Sequence, residues 1–219
     1  MTKRKIYSLV IFTLLLGLAT PAYAKQNNSN LIPNPTFENI GLNGDPVDWF
    51  RGGYGNNTPY YSFVKCPFYT ATDTVHTNPN SFRSACPPDT LYKLEVSVGD
   101  YINGDAKWYF ADVPVSGNKN YIISYDYQPY IYNAEANVRY TLVDGSYIYE
   151  YLGALPQTGA LAHGYIIWAK ALHKINPPKK ALSFTVFFTV VGNGVCGTAC
   201  YGPSGNRLGI ANVVLGRAK

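Results

Sequence analysis

The stretch that decides the fold is GDAKWYFADVPVSGNKNYIISYDYQPY, residues 104–130. Two runs rich in Val, Ile, Tyr, Phe and Trp, residues 106–115 and 121–127, stand on either side of a polar connection. Such residues in alternation with polar ones are typical of half-buried β-strands. The connection, residues 116–120, has the Gly and Asn content of a turn. The stretch therefore predicts a central β-hairpin.

The second of these runs divides its side chains between two faces, because alternate residues of a strand point in opposite directions. One set is aromatic or aliphatic and consists of Tyr121, Ile123, Tyr125 and Tyr127. The other set is polar and consists of Ser124, Asp126 and Gln128. We expect the first set to lie in the core and the second to be a candidate binding site.

Further β-type runs precede and follow this stretch. The predicted strands begin at Trp49 and cover residues 60–64, 91–98, 136–143, 147–152, 165–172, 181–191 and 208–215. In the run 91–98 the polar residues fall mostly on one face, which predicts a half-buried strand. Asp144-Gly145 is a strong hairpin signal. Nine or ten short strands without sustained helical periodicity predict a β-sandwich.

The N-terminal residues have the three parts of a secretory signal peptide. The basic run KRK, residues 3–5, precedes the apolar run 6–19, and AYA, residues 22–24, is a small-x-small cleavage site. An uncleaved membrane anchor is the competing interpretation, but the apolar run is short against the ~20 residues that a span needs. We expect cleavage and export, to a secreted or periplasmic location.

The expected domain organisation follows from this division. Residues 1–24 form the signal peptide, 25–30 a flexible lead-in and 31–219 a single β-sandwich. Three of the 18 basic residues leave with the signal peptide, so 15 basic side chains face 13 acidic ones. A mature net charge of about +2 gives no electrostatic footprint for nucleic acid. No other stretch is apolar enough for a membrane span.

Four cysteines in an exported chain suggest disulfide bonds, for which three connectivities exist. The pairing local in sequence joins Cys66 to Cys86 and Cys196 to Cys200. A metal site is the alternative. The C-x3-C spacing is weak for zinc, and His76 stands at no ligand-like spacing from a cysteine pair. We favour the local disulfides.

Several motifs together resemble a known family. The opening NLIPNPTFE, then GDPVDWFRGGYGNNTP, LYKLEVSV, WYFADVPVSGNKNYIISYDYQ and the final LGIANVVL follow one another in the order of the jelly-roll carbohydrate-binding modules associated with cellulases and xylanases, families four, nine, twenty-two and relatives. The resemblance covers most of the mature chain. It implies an all-β, galactose-binding-like jelly roll of two antiparallel sheets, with a concave face that binds a glycan or polysaccharide.

The resemblance also raises the question of a structural calcium. In the family, the Glu of the opening motif (Glu38 here) and acidic residues of the last strand contribute to such a site. This chain has Ala211 and Asn212 at the latter positions. Calcium needs several oxygen ligands, with charge from carboxylates. Asn212 still offers a neutral carbonyl oxygen, so a calcium site at Glu38 and Asn212 stays open, and no other cofactor is expected.

Sugar recognition combines aromatic faces with fixed polar groups for the hydroxyls. The candidate binding residues are therefore Tyr54, Tyr60, Asp126, Gln128, Tyr130 and Tyr132. A glycosidase needs two carboxyl groups that flank the scissile bond, and the sequence marks no such pair. We expect an exported, non-catalytic carbohydrate-binding protein. The alternatives are a surface or periplasmic protein-interaction sandwich that has lost glycan binding, and a glycan-cleaving enzyme.

Overall fold

The computed structural model describes residues 30–55, 59–66, 86–87, 90–98, 104–116, 118–129, 134–156, 168–192 and 206–218. Within these ranges the chain forms eleven β-strands and no helix. The strands are β1 (Trp49–Gly55), β2 (Pro59–Lys65), β3 (Tyr92–Val98), β4 (Gly104–Phe110), β5 (Val113–Pro114), β6 (Tyr121–Pro129), β7 (Ala134–Leu142), β8 (Tyr147–Ala154), β9 (Ala169–Ile175), β10 (Ala181–Gly192) and β11 (Asn206–Arg217). The described residues contain no helix that could cross a membrane.

The strands form two sheets. The six-stranded sheet has the order β1-β4-β10-β7-β8, with β5 also paired to β10, and the five-stranded sheet has the order β2-β3-β11-β6-β9. The strand pairs are antiparallel. The predicted all-β jelly-roll sandwich of two antiparallel sheets is confirmed.

The predicted central hairpin is wrong. The run 106–115 is divided between β4 and the short β5, and both belong to the six-stranded sheet, whereas β6 belongs to the five-stranded sheet. The polar connection therefore carries the chain from one sheet to the other. Alternation shows that a strand has one buried face, but it does not identify the strand's partner. The strands β4 and β6 therefore lie in different sheets, on opposite sides of the core, and are not hydrogen-bonded to each other.

The assignment of faces on β6 is confirmed from Tyr121 to Tyr127, but Gln128, predicted for the outward site, is buried at 7% exposure. Tyr121, Ile123 and Tyr125 are fully buried and Tyr127 is 7% exposed, whereas Ser124 and Asp126 are only partly buried on the outward side. The largest buried side chains from the opposite sheet include Trp108, Phe110, Tyr140, Phe184 and Phe188. Trp49 is 2% exposed and packs edge-on against Phe37, as a core residue. Aromatic side chains thus fill the space between the sheets.

The prediction of a half-buried strand over residues 91–98 is wrong, because both faces of β3 are buried. The polar side chain of Lys93 is completely buried and its Nζ lies 2.8 Å from Glu95 Oε1. Burial lowers the pKa of Lys93, and the neighbouring Glu95 carboxylate partly offsets that effect. Arg207 Nη1 lies 3.8 Å from the same Glu95 oxygen. On this buried polar face the charged side chains pair with one another instead of facing solvent, whereas the Ser97 hydroxyl makes no hydrogen bond with the described residues.

The hairpin at Asp144-Gly145 is present between β7 and β8. Gly145 has a φ of 80°, which a glycine adopts without steric cost. Asp144 Oδ1 accepts hydrogen bonds from the Ser146 backbone N–H at 3.0 Å and from its hydroxyl at 2.6 Å. The local turn chemistry predicted from the sequence therefore determines this connection.

The disulfide between Cys66 and Cys86 is confirmed, with a Cα–Cα distance of 5.9 Å. It connects the end of β2 to the segment that leads into β3. The predicted Cys196–Cys200 bond lies outside the described residues, as do the signal peptide and His76.

Removal of the Cys66–Cys86 bond should destabilise the protein measurably. In the chain-entropy model, a cross-link that closes a loop of 20 residues stabilises the fold by ~3 kcal/mol. We expect Cys66→Ser/Cys86→Ser to lose about that much free energy of unfolding in urea titrations. A double variant as stable as the parent would contradict this expectation.

A histidine joins the open edges of the two sheets. His173, on edge strand β9, stacks on the ring of Tyr125 and its Nε2 lies 2.9 Å from the Tyr125 hydroxyl oxygen. It also hydrogen-bonds the backbone of Leu152, which lies on edge strand β8 of the opposite sheet. Burial lowers the pKa of His173, and the bond to Leu152 partly offsets that shift. The neutral imidazole is the form that this environment favours.

Stability should fall as His173 becomes protonated. Since the pKa in the folded protein lies below the ordinary value of 6.5, the unfolded chain takes up the proton first. The stabilisation is complete above pH 6.5 and is lost as the pH falls toward the lower folded pKa. We expect the melting temperature to drop between pH 7 and pH 5, and His173→Gln to show a smaller drop. If the melting temperatures of the parent and of His173→Gln fell equally, titratable groups other than His173 would cause the pH dependence.

Candidate functional site

Three pairs of adjacent aromatic residues place one ring in the core and the other on the outward face of the six-stranded sheet. The pairs are Trp49-Phe50 on β1, Trp108-Tyr109 on β4 and Phe187-Phe188 on β10. Trp49, Trp108 and Phe188 are buried in the core. Because strand neighbours point in opposite directions, their partners lie on the other side of the sheet. Each pair thus contributes to the core and to the surface.

The outward rings form a continuous row across the sheet. Phe50 pairs with Tyr109 in the ladder, and Tyr109 pairs with Phe187. Their ring centroids are 5.5 Å and 5.2 Å apart, and the ring of Tyr149 on β8 lies 6.4 Å from Phe187 in a stacked arrangement. We call Phe50, Tyr109, Phe187 and Tyr149 the aromatic row. It connects β1, β4, β10 and β8 across most of the sheet.

The two ends of the aromatic row are the exposed ones. Phe50 is 45% exposed and Tyr149 is 65% exposed, whereas Phe187 in the middle is 8% exposed. Tyr147 and Tyr151, two positions before and after Tyr149 on β8, are also more than half exposed. Exposed aromatic patches of this kind mark interaction sites. Their position on strands holds the rings in fixed places.

Charged groups surround the row, and the two cations Lys107 and Arg139 are each paired with a carboxylate. Lys107 Nζ lies 2.7 Å from Asp105 Oδ2 and 5.3 Å from the Phe187 ring centroid. The Arg139 guanidinium lies 4.9 Å from the Tyr147 ring and its Nη2 is 3.0 Å from Asp112 Oδ1. Cations above aromatic faces are attracted by the ring quadrupole. These contacts fix polar groups beside the rings.

Two buried polar atoms on this face make no hydrogen bond within the described structure. They are Arg139 Nε and the hydroxyl of Thr189. Thr189 of β10 pairs with Lys107 of β4 on one side and with Glu135 of β7 on the other. Buried polar groups are usually hydrogen-bonded, but these two atoms are themselves buried, so a ligand on the sheet surface would not reach them directly. The polar groups that a ligand could reach on this face are the partly exposed side chains of Lys107, Asn137 and Glu135.

The residues predicted from the sequence lie on both sides of the sandwich. Tyr54 is 66% exposed on β1, close to the aromatic row, and its N–H donates to Asp105 Oδ1 at 3.2 Å. Asp126 and Gln128 lie on the outward face of the five-stranded sheet, as does Tyr60, on strand β2 at the sheet's edge. Tyr130 and Tyr132 lie outside the described residues. Tyr54 thus lies on a different sheet from the other described candidates, and at the open edge of the sandwich it lines a pocket with Pro59, the neighbour of Tyr60.

Asp126 lines a pocket on the five-stranded sheet. The pocket has a volume of about 530 Å³ and its lining includes Ser124, Trp168, Lys170 and Asn212. Gln128 and Trp168 both lie next to Gly209 of β11, since a Cβ placed at Gly209 would contact both side chains. The face opposite to the aromatic row therefore has a polar concavity of its own.

The two residues predicted for calcium, Glu38 and Asn212, differ in their surroundings. Asn212 donates its side-chain amide to Asp126 Oδ2 at 2.7 Å. Glu38 is exposed and makes no hydrogen bond or ion pair with the described residues. Within the part of the chain that the structure describes, no group of three or more His, Cys, Asp or Glu residues comes together as a metal site. The calcium site at Glu38 and Asn212 stays a prediction.

The aromatic row was not predicted from the sequence. A signal for it exists in the adjacent aromatic pairs, since one ring of each pair must face outward in a strand. A second signal is the alternation Tyr147-x-Tyr149-x-Tyr151 directly after the Asp-Gly turn. Neither signal shows which outward rings share one surface, because that depends on the order of the strands in the sheet.

Comparison with known proteins supports the fold. The chain is similar to the enzymatically active domain of tailspike protein 4 of bacteriophage CBA120, with 12% identity and a TM-score of 0.51. The likeness covers 86% of this chain but only 21% of the tailspike chain, so this protein spans about a fifth of that length. No protein-family model matches the sequence, and neither does any curated protein.

Carbohydrate-binding modules are also among the similar solved structures. One is the family 11 module of a cellulosomal cellulase of Clostridium thermocellum, with 12% identity, a TM-score of 0.48 and coverage of 87% of this chain and 95% of that one. Another is a xylan-binding family 22 domain from Paenibacillus barcinonensis, with 10% identity, a TM-score of 0.48 and coverage of 88% and 96%. Both are modules of the kind that the sequence motifs resemble.

Proposed function

We propose that this protein binds an extended glycan chain along the aromatic row of its six-stranded sheet. The observation that carries the proposal is the line of four rings on four strands, exposed at both ends and held at centroid distances of 5.2–6.4 Å. Sugar rings have apolar faces that stack on aromatic side chains and hydroxyls that require fixed hydrogen-bonding partners. The outward face of the six-stranded sheet carries both aromatic rings and polar side chains held in place by their partners.

The charge on this face favours a neutral glycan. Lys107 is neutralised by Asp105, and Arg139 by Asp112. Glu135 accepts a hydrogen bond from Asn137 at 2.7 Å, so it too is held in place. A polyanionic glycan would meet carboxylates at three places and would gain little from cations that are already paired.

The same arrangement supports a binding role without catalysis. A glycosidase requires one carboxyl group that donates a proton and a second that acts as base or nucleophile. On this face the described carboxylates accept hydrogen bonds or pair with cations. They therefore serve to position the neighbouring polar groups. Export by way of the predicted signal peptide would bring the protein to polysaccharides outside the cytoplasm.

Rigid strands also suit this role, because a pre-ordered surface loses little conformational entropy on binding. Tyr and Phe offer large contact areas with only two side-chain torsions to immobilise. A protein partner would also favour exposed aromatic residues. The experiment must therefore distinguish a glycan from a protein ligand directly.

A polysaccharide and oligosaccharide array probed with the mature protein tests the proposal. We expect binding to neutral chains, with weaker signals for monomers and dimers of the same sugar, because short ligands contact fewer rings of the row. Binding that requires sulfated or uronate-rich chains would contradict the proposed charge preference. The absence of binding to any glycan would favour the protein-interaction alternative.

A further inference from the structure

A β-bulge in strand β11 shapes the pocket on the five-stranded sheet. The pairing of β11 with β6 shifts register between Ala211 and Val214, and Asn212 within this bulge has a φ of 51°. Asn tolerates the left-handed region better than most residues do. Bulges of this kind turn a side chain in a new direction and are frequent beside functional sites. Here the bulge directs the Asn212 amide toward Asp126.

The polar groups of the pocket are concentrated around one carboxylate. Asp126 accepts the Asn212 amide at 2.7 Å through Oδ2, and its Oδ1 lies 3.7 Å from Lys170 Nζ. Only 13% of the Asp126 side chain is exposed, whereas 71% of the Lys170 side chain is exposed. A carboxylate accepts about four hydrogen bonds, so Asp126 retains capacity for more. The Ser124 hydroxyl also lines the pocket.

An indole forms the apolar part of the lining. Trp168 precedes β9 and lies against Gly209 of β11, where a Cβ would come within 3.1 Å of the ring. That distance is tighter than ordinary van der Waals contact, so glycine permits the indole to lie close to the strand. Trp168 remains partly exposed, whereas the two other tryptophans of the chain are buried.

We propose that this pocket is a second ligand site that takes a single neutral sugar residue, on the side of the sandwich opposite to the aromatic row. An indole face beside a carboxylate, an amide and a hydroxyl matches the apolar face and the hydroxyls of a pyranose ring. The volume of about 530 Å³ is within the usual range for small ligands, ~300–1,000 Å³. Lys170 offsets the charge of Asp126, so the pocket selects against a cation. The site does not depend on the aromatic row.

The probes are free hexoses and pentoses, with tetramethylammonium as the cationic probe. Since Trp49 and Trp108 are buried, acrylamide quenching of tryptophan fluorescence reports mainly on Trp168. We expect at least one neutral sugar to protect Trp168 from acrylamide and to give saturation-transfer NMR signals. Tetramethylammonium should do neither.

Two variants assign the signal to the pocket. Asn212→Gly keeps the left-handed backbone and removes the amide, and we expect affinity to fall about fivefold, as for the loss of one neutral hydrogen bond. Asp126→Asn keeps the shape and removes the charge, and we expect a fall of about tenfold or more. Tyr149→Ala should bind the free sugar like the parent, which separates this site from the aromatic row. Melting curves verify that each variant is folded.

The proposal is overturned if no sugar of the panel protects Trp168, or if folded Asp126→Asn and Asn212→Gly both bind it like the parent. Stronger protection by tetramethylammonium than by any sugar would overturn the assigned ligand class. A free sugar whose binding is lost in Tyr149→Ala and kept in Asp126→Asn would place the ligand on the aromatic row instead.

Discussion

Tyr125→Ala should lose ~3–5 kcal/mol of unfolding free energy, the range measured when a large buried aromatic side chain is truncated. Tyr125 is completely buried in the middle of β6. Its ring packs edge-on against Phe188 of the opposite sheet, with 4.7 Å between centroids, and stacks on His173 at 5.7 Å. The truncation therefore removes contacts on both sides of the core. Chemical denaturation of the purified variant measures the loss.

Tyr125→Phe is the matched control, because it keeps the ring and removes only the hydroxyl that bonds His173. We expect a cost of ~1 kcal/mol for this variant. If Tyr125→Ala were as stable as Tyr125→Phe, the ring would not be a structural element of the core. That outcome would contradict the assignment of the β6 faces.

Phe50→Ala/Tyr149→Ala should reduce glycan affinity about a hundredfold. The two residues are the exposed ends of the aromatic row, at 45% and 65% exposure. Aromatic anchor residues of a binding surface cost ~1–2 kcal/mol or more each when they are truncated, and ~3 kcal/mol in total corresponds to a factor of roughly a hundred. Since both rings are partly exposed, the variant should remain folded. Isothermal titration with an array-selected oligosaccharide measures the change.

Leu172→Ala is the control for this variant. Leu172 is 68% exposed on β9 of the five-stranded sheet, so its truncation also removes apolar surface, but on the opposite side of the sandwich. We expect parental affinity for this control. A folded Phe50→Ala/Tyr149→Ala protein with parental affinity would show that the row does not bind the glycan.

The fold was predictable where local chemistry determines it. The β7–β8 hairpin follows from Asp144-Gly145, and the buried side of β6 follows from alternation. The pairing of β4 was not predictable in this way, because its neighbours are β1 and β10, distant in sequence on either side. The burial of the polar face of β3 was not predictable either. Glu95 pairs there with Lys93 and approaches Arg207 of β11, and the spacing within one strand does not reveal a contact with another strand.

The same limit applies to the candidate sites. Alternation placed Asp126 on the outward face correctly, but its partner Asn212 is 86 residues away and is directed by a bulge. The aromatic row combines residues from four strands, of which Phe50 and Phe187 are more than a hundred positions apart. Such a row exists only after the strand order brings the rings together. Sequence patterns identified aromatic strands, but not which rings share a surface.

The most direct test of the central claim is an NMR titration of the isotopically labelled mature protein with the glycan selected on the array. We predict that amide shifts concentrate on the strands of the aromatic row, β1, β4, β8 and β10, and saturate with a single affinity for the extended chain. Shifts confined to β3, β6, β9 and β11 would contradict the claim, because the chain would then bind the opposite sheet.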